Sequence, residues 1–284
     1  MSTVGTNAVG TNAVERDAVG RDAVGIVAGD GVVPLRRGPR HWLHAFGAMG
    51  RFEWATIRPY APLVLVVQVM MGVGMSIMYG FFYPHVDPTT ALLIATGVPT
   101  LALVPMGFVL VPANVAMQRL SGTFDVIWSF PVPRSAGVAA SFAVNAALAL
   151  PGTVLALAVG AWRYDVALHL SPVLVPAVLL SVLMCVAVGY GLALAVANPL
   201  VINLISNATV FLVLLFTPIV YPASNLPRWL AAVHEVLPFS PMAQVIRAGL
   251  TEGVVADVGR PFLVLVAWAL AGFGLTAWVV GRRR

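Results

Sequence analysis

Long apolar blocks separated by short polar or charged stretches set the plan of this chain. No Asp, Glu, Lys or Arg occurs at 61–83, 91–118, 136–162, 171–227 or 261–281. About 20 apolar residues suffice to cross a bilayer as a helix. Each block reaches that length, and the longest holds two crossings parted at Asn198-Pro199. The pattern predicts an all-α polytopic membrane protein with six transmembrane helices, at about 61–83, 91–113, 137–161, 173–197, 203–222 and 261–280. Pro99 and Pro105 in the second are tolerated where neighbouring helices satisfy the freed carbonyls. The third is rich in small residues (Ala139, Ala140, Ala143, Ala146, Ala147), which suits close helix packing.

The segments outside these blocks divide into three. Residues 1–38 carry a decaying five-residue repeat that begins Val4-Gly-Thr-Asn-Ala. Small residues with alternating charge bury too little surface to order a chain, so a disordered, low-complexity cytoplasmic tail is expected here. The transmembrane domain proper is then 39–284. Residues 39–58 place Trp42, Ala45, Phe46, Met49, Phe52, Thr56 and Ile57 on one helical face and Arg40, His44, Arg51 and Arg58 on the other. This is the pattern of an amphipathic helix lying in the membrane interface. Glu53 breaks it from within the apolar face, either as a frayed end at the water boundary or as half of an ion pair with an Arg elsewhere in the assembly. After the fifth span, Leu226, Leu230, Val233 and Leu237 share one face, and Met242, Val245, Ile246 and Leu250 share another. Two short helices broken by Pro238 and Pro241 are expected, forming an external re-entrant hairpin in the outer leaflet.

Charge placement orients the bundle. With the N-terminus inside, the inner flanks hold Arg36, Arg37, Arg40, Arg51, Arg58, Arg119, Arg134, Arg282, Arg283 and Arg284, against Arg163, Arg228, Arg247 and Arg260 outside. Both termini are therefore expected to be cytoplasmic. The first 35 residues lack the apolar core of a cleavable signal peptide, so the first span should act as its own insertion signal.

Composition narrows the chemistry. Of 284 residues, 60% are apolar and 10% charged, which excludes an ordinary cytosolic enzyme. The net charge of +5 comes from arginine alone and is spent on membrane orientation, not on nucleic acid. Cys185, the single cysteine, lies inside a span and reads as a small packed hydrophobe. No metal-spaced histidine pair occurs, and a chain without lysine cannot build a conventional phosphate loop. Catalytic and metal sites are therefore expected to be absent. Proton- or ion-coupled carriers keep titratable residues inside the bundle, and these spans have no acid or base in their interior. The intramembrane polar residues are Gln68, Asn145, Tyr190, Asn203, Asn207 and Thr209. Interhelical hydrogen bonding is their usual role, with Asn145, Asn203 and Asn207 as a possible polar pathway. Any energy source lies on a partner; an energy-independent channel, a scramblase or a structural membrane scaffold is the alternative.

Two loops add a specific signal. The inner loop reads Gln118-Arg119-Leu120-Ser121-Gly122-Thr123-Phe124-Asp125, then an apolar run to Pro131. The outer segment carries Pro218, Tyr221-Pro222, Leu226-Pro227, Trp229-Leu230 and Arg247. At these residues the chain resembles permeases of the ABC type-2 transporter family, over about 39–284 and most strongly in the last hundred residues. It departs from that pattern at 118–120, where the acidic residue beside the Arg is missing. The resemblance implies a multi-pass plasma-membrane half-transporter: two permease subunits, identical or different, and separate nucleotide-binding ATPase subunits that hold ATP and Mg. The substrate would be an amphiphilic drug, antibiotic, lipid or glycolipid, exported past membrane lipids. It further implies that Arg51 and Glu53 of the interfacial helix, with Arg119, Gly122, Thr123, Phe124 and Asp125 of a coupling helix at about 117–127, dock on the ATPase. The hairpin and fifth span would form an outer gate at Phe211, Phe216, Pro218, Tyr221, Leu226 and Leu230. Pro218 and Pro222 should bend or end the fifth span between them.

Overall fold

The computed structural model describes the backbone of 25–28 and 31–34, and residues 38–82, 87–123, 126–127, 132–255 and 257–282. Helices dominate. Within the segment expected to be a disordered tail, β1 (Gly25–Ala28) pairs antiparallel with β2 (Gly31–Pro34), Ala28 opposite Gly31; the repeats before it lie outside the described residues. Then follow α1 (Pro39–Ile57), α2 (Ala61–Phe82), α3 (Pro88–Pro105), α4 (Val111–Leu120), α5 (Arg134–Tyr164), α6 (Leu174–Ala195), α7 (Pro199–Phe216), α8 (Arg228–Val236), α9 (Phe239–Leu250) and α10 (Gly259–Arg282).

Six of these units are long and apolar enough to cross a membrane: α2, α3–α4 as one rod Pro88–Leu120, α5, α6, α7 and α10. The six expected spans are all present, with differences at the ends of the second and fifth and a break in regularity within the second. The second runs on to Leu120, so residues 117–120 are the end of that span and not part of a separate coupling helix. Pro105 has no N–H and crowds the carbonyl one turn back, and the chain passes it through a wide π turn, Met106–Leu110. The fifth span stops at Phe216, six residues before the expected end: Thr217, just before Pro218, is extended (φ −82°, ψ 129°), the conformation a following proline imposes.

Burial ranks the helices. The apolar stretch of α3–α4 is 83% buried, against 17% in α7 and 22% in α2 and in α10. The core is thus α3–α4 and α6, flanked by α5 on one side and α9 with α10 on the other. Close approach at its centre depends on glycine. A Cβ on Gly189 of α6 would lie 2.0 Å from the Gly107 carbonyl oxygen, so the π turn and α6 touch backbone to backbone. Outward, α2, α7 and α10 present Met70, Phe81, Leu204, Phe211, Leu263 and Leu270, all exposed on this chain. Lipid or another apolar surface must cover them.

Candidate functional site

At the end of the bundle that carries α1, three features converge. The first is a clamp. Arg119, one residue from the end of α4, donates from Nη1 to the Val196 carbonyl (2.9 Å) and from Nη2 to the Leu194 carbonyl (3.0 Å). These carbonyls close α6, where the helix leaves its last acceptors unpaired and its dipole favours a cation. Arg119 therefore rivets α4 to α6.

The second is the turn after α4. Ser121 and Gly122 fold back with N–H bonds to Met117 and Arg119, and Gly122 has φ +72°. Its Cβ position is empty within 4 Å, so glycine is required by backbone conformation alone. Ser121 Oγ donates to the Gln118 carbonyl and lies 2.9 Å from Thr123 Oγ1. Helical backbone resumes at Thr123, Val126 and Ile127. Of the residues expected to couple, Arg119, Gly122 and Thr123 are thus brought to one end, while Phe124, Asp125 and the Pro131 motif position lie outside the described residues.

The third is α1 itself, which packs on α5. Trp42 stacks on Phe46, and its Nε1 donates to Ser135 Oγ (3.0 Å). Ala45, Met49 and Ile57 are buried on the predicted face, and Glu53 lies in the same row. Arg51 points the other way and is exposed. The Glu53 carboxylate accepts a hydrogen bond from the Ser141 hydroxyl of α5. No Arg or His nitrogen lies within 4 Å of it among the described residues, so no ion pair is formed among them. Burial holds its pKa above the ordinary carboxylate value, with the Ser141 bond pulling partly back. A pocket opens beside it, lined by Met49, Val132, Val138, Arg134 and Tyr190 among others.

The far end is organised by a residue that the sequence pattern assigns to an external loop. Arg247 is buried at 7% exposure in α9. Its Nε donates to Thr96 Oγ1 of α3 (3.0 Å) and its Nη2 to the Ile219 carbonyl (2.8 Å). Ile219 belongs to Thr217–Val220, a buried, non-helical segment directly after α7. Its carbonyl oxygen lies 2.6 Å from where a Cβ on Gly97 would stand. Irregular backbone at this depth survives only if protein satisfies it, and Arg247 does so for Ile219. Thr96 in turn donates to the Leu92 carbonyl (2.7 Å).

The hairpin has the predicted faces. Met242, Val245, Ile246 and Leu250 are all buried, but against α3, α6 and α10. The helices break at Leu237-Pro238 only. Pro241 sits in the first turn of α9, where its missing N–H costs nothing. The expected gate residues differ in their burial within the chain. Pro218 is buried, Phe211 and Phe216 are exposed on α7, and Tyr221, Leu226 and Leu230 are half-buried. Of the polar-path residues, Asn203 and Asn207 are neighbours on α7 and Asn145 lies on α5. Asn145 is buried in α5 and donates to the Ser141 carbonyl (2.8 Å). Asn207 donates to the Asn203 carbonyl (2.8 Å) on the outward side of α7.

Residues 44–251 match the family model described as ABC-2 type transporter. The match takes in most of α1, the Gly122 turn, the buried segment after α7 and Arg247. No curated protein matches the chain. The chain belongs to the ABC-2 type transporter family and is a multi-pass permease subunit of that kind.

Proposed function

We propose that this permease is the membrane half of an ATP-driven exporter that moves an amphiphilic or hydrophobic substrate, such as a drug, antibiotic, lipid or glycolipid, out across the plasma membrane. A second permease subunit, a copy of this chain or a different one, completes the translocation path, and separate nucleotide-binding subunits hold ATP and Mg. The end carrying α1, Arg119 and the Gly122 turn faces the cytoplasm and receives the ATPase.

The observation that carries this reading is the rod Pro88–Leu120. One end is riveted to α6 by Arg119 and finishes in the Gly122 turn. Near the other end, Thr96 holds Arg247 and through it the Ile219 segment that follows α7. From Thr96 to Leu120 the helix spans about 36 Å at about 1.5 Å per residue. A displacement imposed on the Gly122 turn therefore reaches the base of the outer hairpin through one continuous, deeply buried element. The π turn at Met106–Leu110 is its point of compliance. Phe124 and Asp125 extend the docking surface beyond the turn. Phe211, Phe216, Pro218, Tyr221, Leu226 and Leu230 form the outer gate when the α7 faces of two subunits meet. Asn203 and Asn207 then face an interior and not lipid, where an exposed amide is costly.

Affinity purification of the tagged full chain from its native membrane tests this. A stoichiometric nucleotide-binding subunit, lost on Phe124→Ala or Gly122→Val, is expected. Purification without such a subunit, combined with lipid scrambling by the chain alone, would overturn the reading in favour of an energy-independent scramblase.

A further inference from the structure

We propose that the pocket between α1, α5 and α6 receives the positively charged head of an amphiphile, which reaches it from the membrane surface beside α1. The proposal deepens the exporter reading and rests on it for the fate of the bound molecule. The binding itself requires no ATPase.

Three observations carry it. First, among the described residues the pocket joins apolar walls (Met49, Val132, Val138) to an acid, Glu53, and an aromatic ring, Tyr190, with Arg134 also in its lining. An acid beside an aromatic face suits an ammonium head, which gains from both charge and ring quadrupole. Second, the acid has no cation within ion-pair distance among the described residues. A carboxylate has about four acceptor sites, and the only hydrogen bond it makes among the described residues comes from Ser141. A half-buried charge without a partner is costly, and α1 would pack on α5 equally well with an apolar residue at this position in the row of Ala45, Met49 and Ile57. Third, the neighbouring arginines do not take the role. Arg119 is turned onto the α6 carbonyls, and Arg134, which also lines the pocket, is exposed and makes no ion pair with Glu53. Leu43 and Trp54 of α1 are exposed apolar groups, so the tail of an amphiphile can remain in the leaflet while its head reaches Glu53.

Among the described residues, the charged and titratable groups around Glu53 are Arg134 on α5, Arg119 on α4 and Tyr190 on α6. Burial holds the Glu53 carboxyl above its ordinary pKa, so the cation-receiving form grows as pH rises through that shifted value. A permanently charged probe isolates this titration.

The test is equilibrium dialysis of labelled octyltrimethylammonium against the full chain in lipid nanodiscs, with octylsulfonate and octanol as anionic and neutral counterparts. Saturable binding of the cation alone is expected, strengthening with pH and weakened at least tenfold by Glu53→Gln. Ser141→Ala removes the bond that favours the ionised form, so it should keep cation binding and move its pH midpoint upward. It carries the test should Glu53→Gln fail to fold. Cation binding equal in Glu53→Gln and wild type, octylsulfonate binding as tight as the cation's, or a pH midpoint unmoved by Ser141→Ala would each overturn the proposal. A reconstituted complex that exports no amphiphile under ATP would sink the exporter reading instead and leave this binding result standing.

Discussion

Replacing Arg247 is the sharpest perturbation of the far end. Arg247→Ala removes the donor to the Ile219 carbonyl (2.8 Å) and the donor to Thr96 Oγ1 (3.0 Å). The two acceptors are not equal. Thr96 keeps its own bond to the Leu92 carbonyl, whereas Ile219, at 0% exposure against Gly97, has no water to turn to. A hydrogen bond from a charged donor contributes about 1.5–3 kcal/mol, and an orphaned buried acceptor costs about 1–3 kcal/mol. Recovery of the guanidinium's desolvation offsets part of this, which leaves a net loss of about 2–4 kcal/mol. At roughly 2–4 °C per kcal/mol for a chain of this size, Tm should fall by about 4–16 °C. Arg247→Lys keeps one donor but not the fork and should fall between. Thermal unfolding in detergent, followed by size-exclusion fluorescence, reads the shift. Hydrogen exchange at Ile219–Tyr221 reads whether the loss is local. Because Arg247 and Thr96 share a bond, Thr96→Val combined with Arg247→Ala should cost less than the sum of the two. An Arg247→Ala chain that melts with wild type, or a strictly additive double variant, would refute the reasoning.

Four further outcomes are expected. Gly189→Ala puts a Cβ 2.0 Å from the Gly107 carbonyl oxygen, so it should abolish a monodisperse product, whereas Gly74→Ala, with nothing within 4 Å, should express normally. Glu53→Gln should raise Tm near neutral pH: with the folded carboxyl held above its ordinary pKa, the folded state binds more protons, and wild-type stability falls as pH rises from the ordinary carboxylate range to that shifted value. The variant should lose that slope. Gly122→Ala forces a side chain to φ +72°, costing about 1–2 kcal/mol; it should lower ATP-driven transport while leaving the span core intact, as judged by an unchanged monodisperse elution. Single cysteines at positions 211, 216, 221 and 230 in a Cys185→Ala background should crosslink between subunits, and a complete absence of crosslinks would remove the outer-gate assignment.

The spans were legible because bilayer crossing imposes length and excludes charge, a constraint that acts residue by residue. The α9 face at Met242, Val245, Ile246 and Leu250 was legible for a similar reason, since its period is local. Its cover was not: whether an apolar stripe meets lipid or α6 depends on a partner distant in sequence. The early end of α7 was readable from Thr217-Pro218, because proline restrains the residue before it; weighting apolar content over that rule misplaced the end by six residues. Arg247 was the main omission from the candidate residues. Its partners are a backbone carbonyl 28 residues away and a threonine hydroxyl 151 residues away, and neither leaves a trace in composition. Counting it among the loop arginines treated as solvent-facing a cation that is inside the protein. Glu53 was visible as a break in an amphipathic face, but its partner, Ser141, was not, because serine is unremarkable on a small-residue helix.

The measurement closest to the central claim is uphill export by the reconstituted assembly. Permease and ATPase subunit in sealed vesicles should concentrate an amphiphilic substrate against its gradient when ATP is supplied on the face that carries α1 and the Gly122 turn, and should stop when hydrolysis is blocked. Equal movement by the permease alone, with or without nucleotide, would contradict the account.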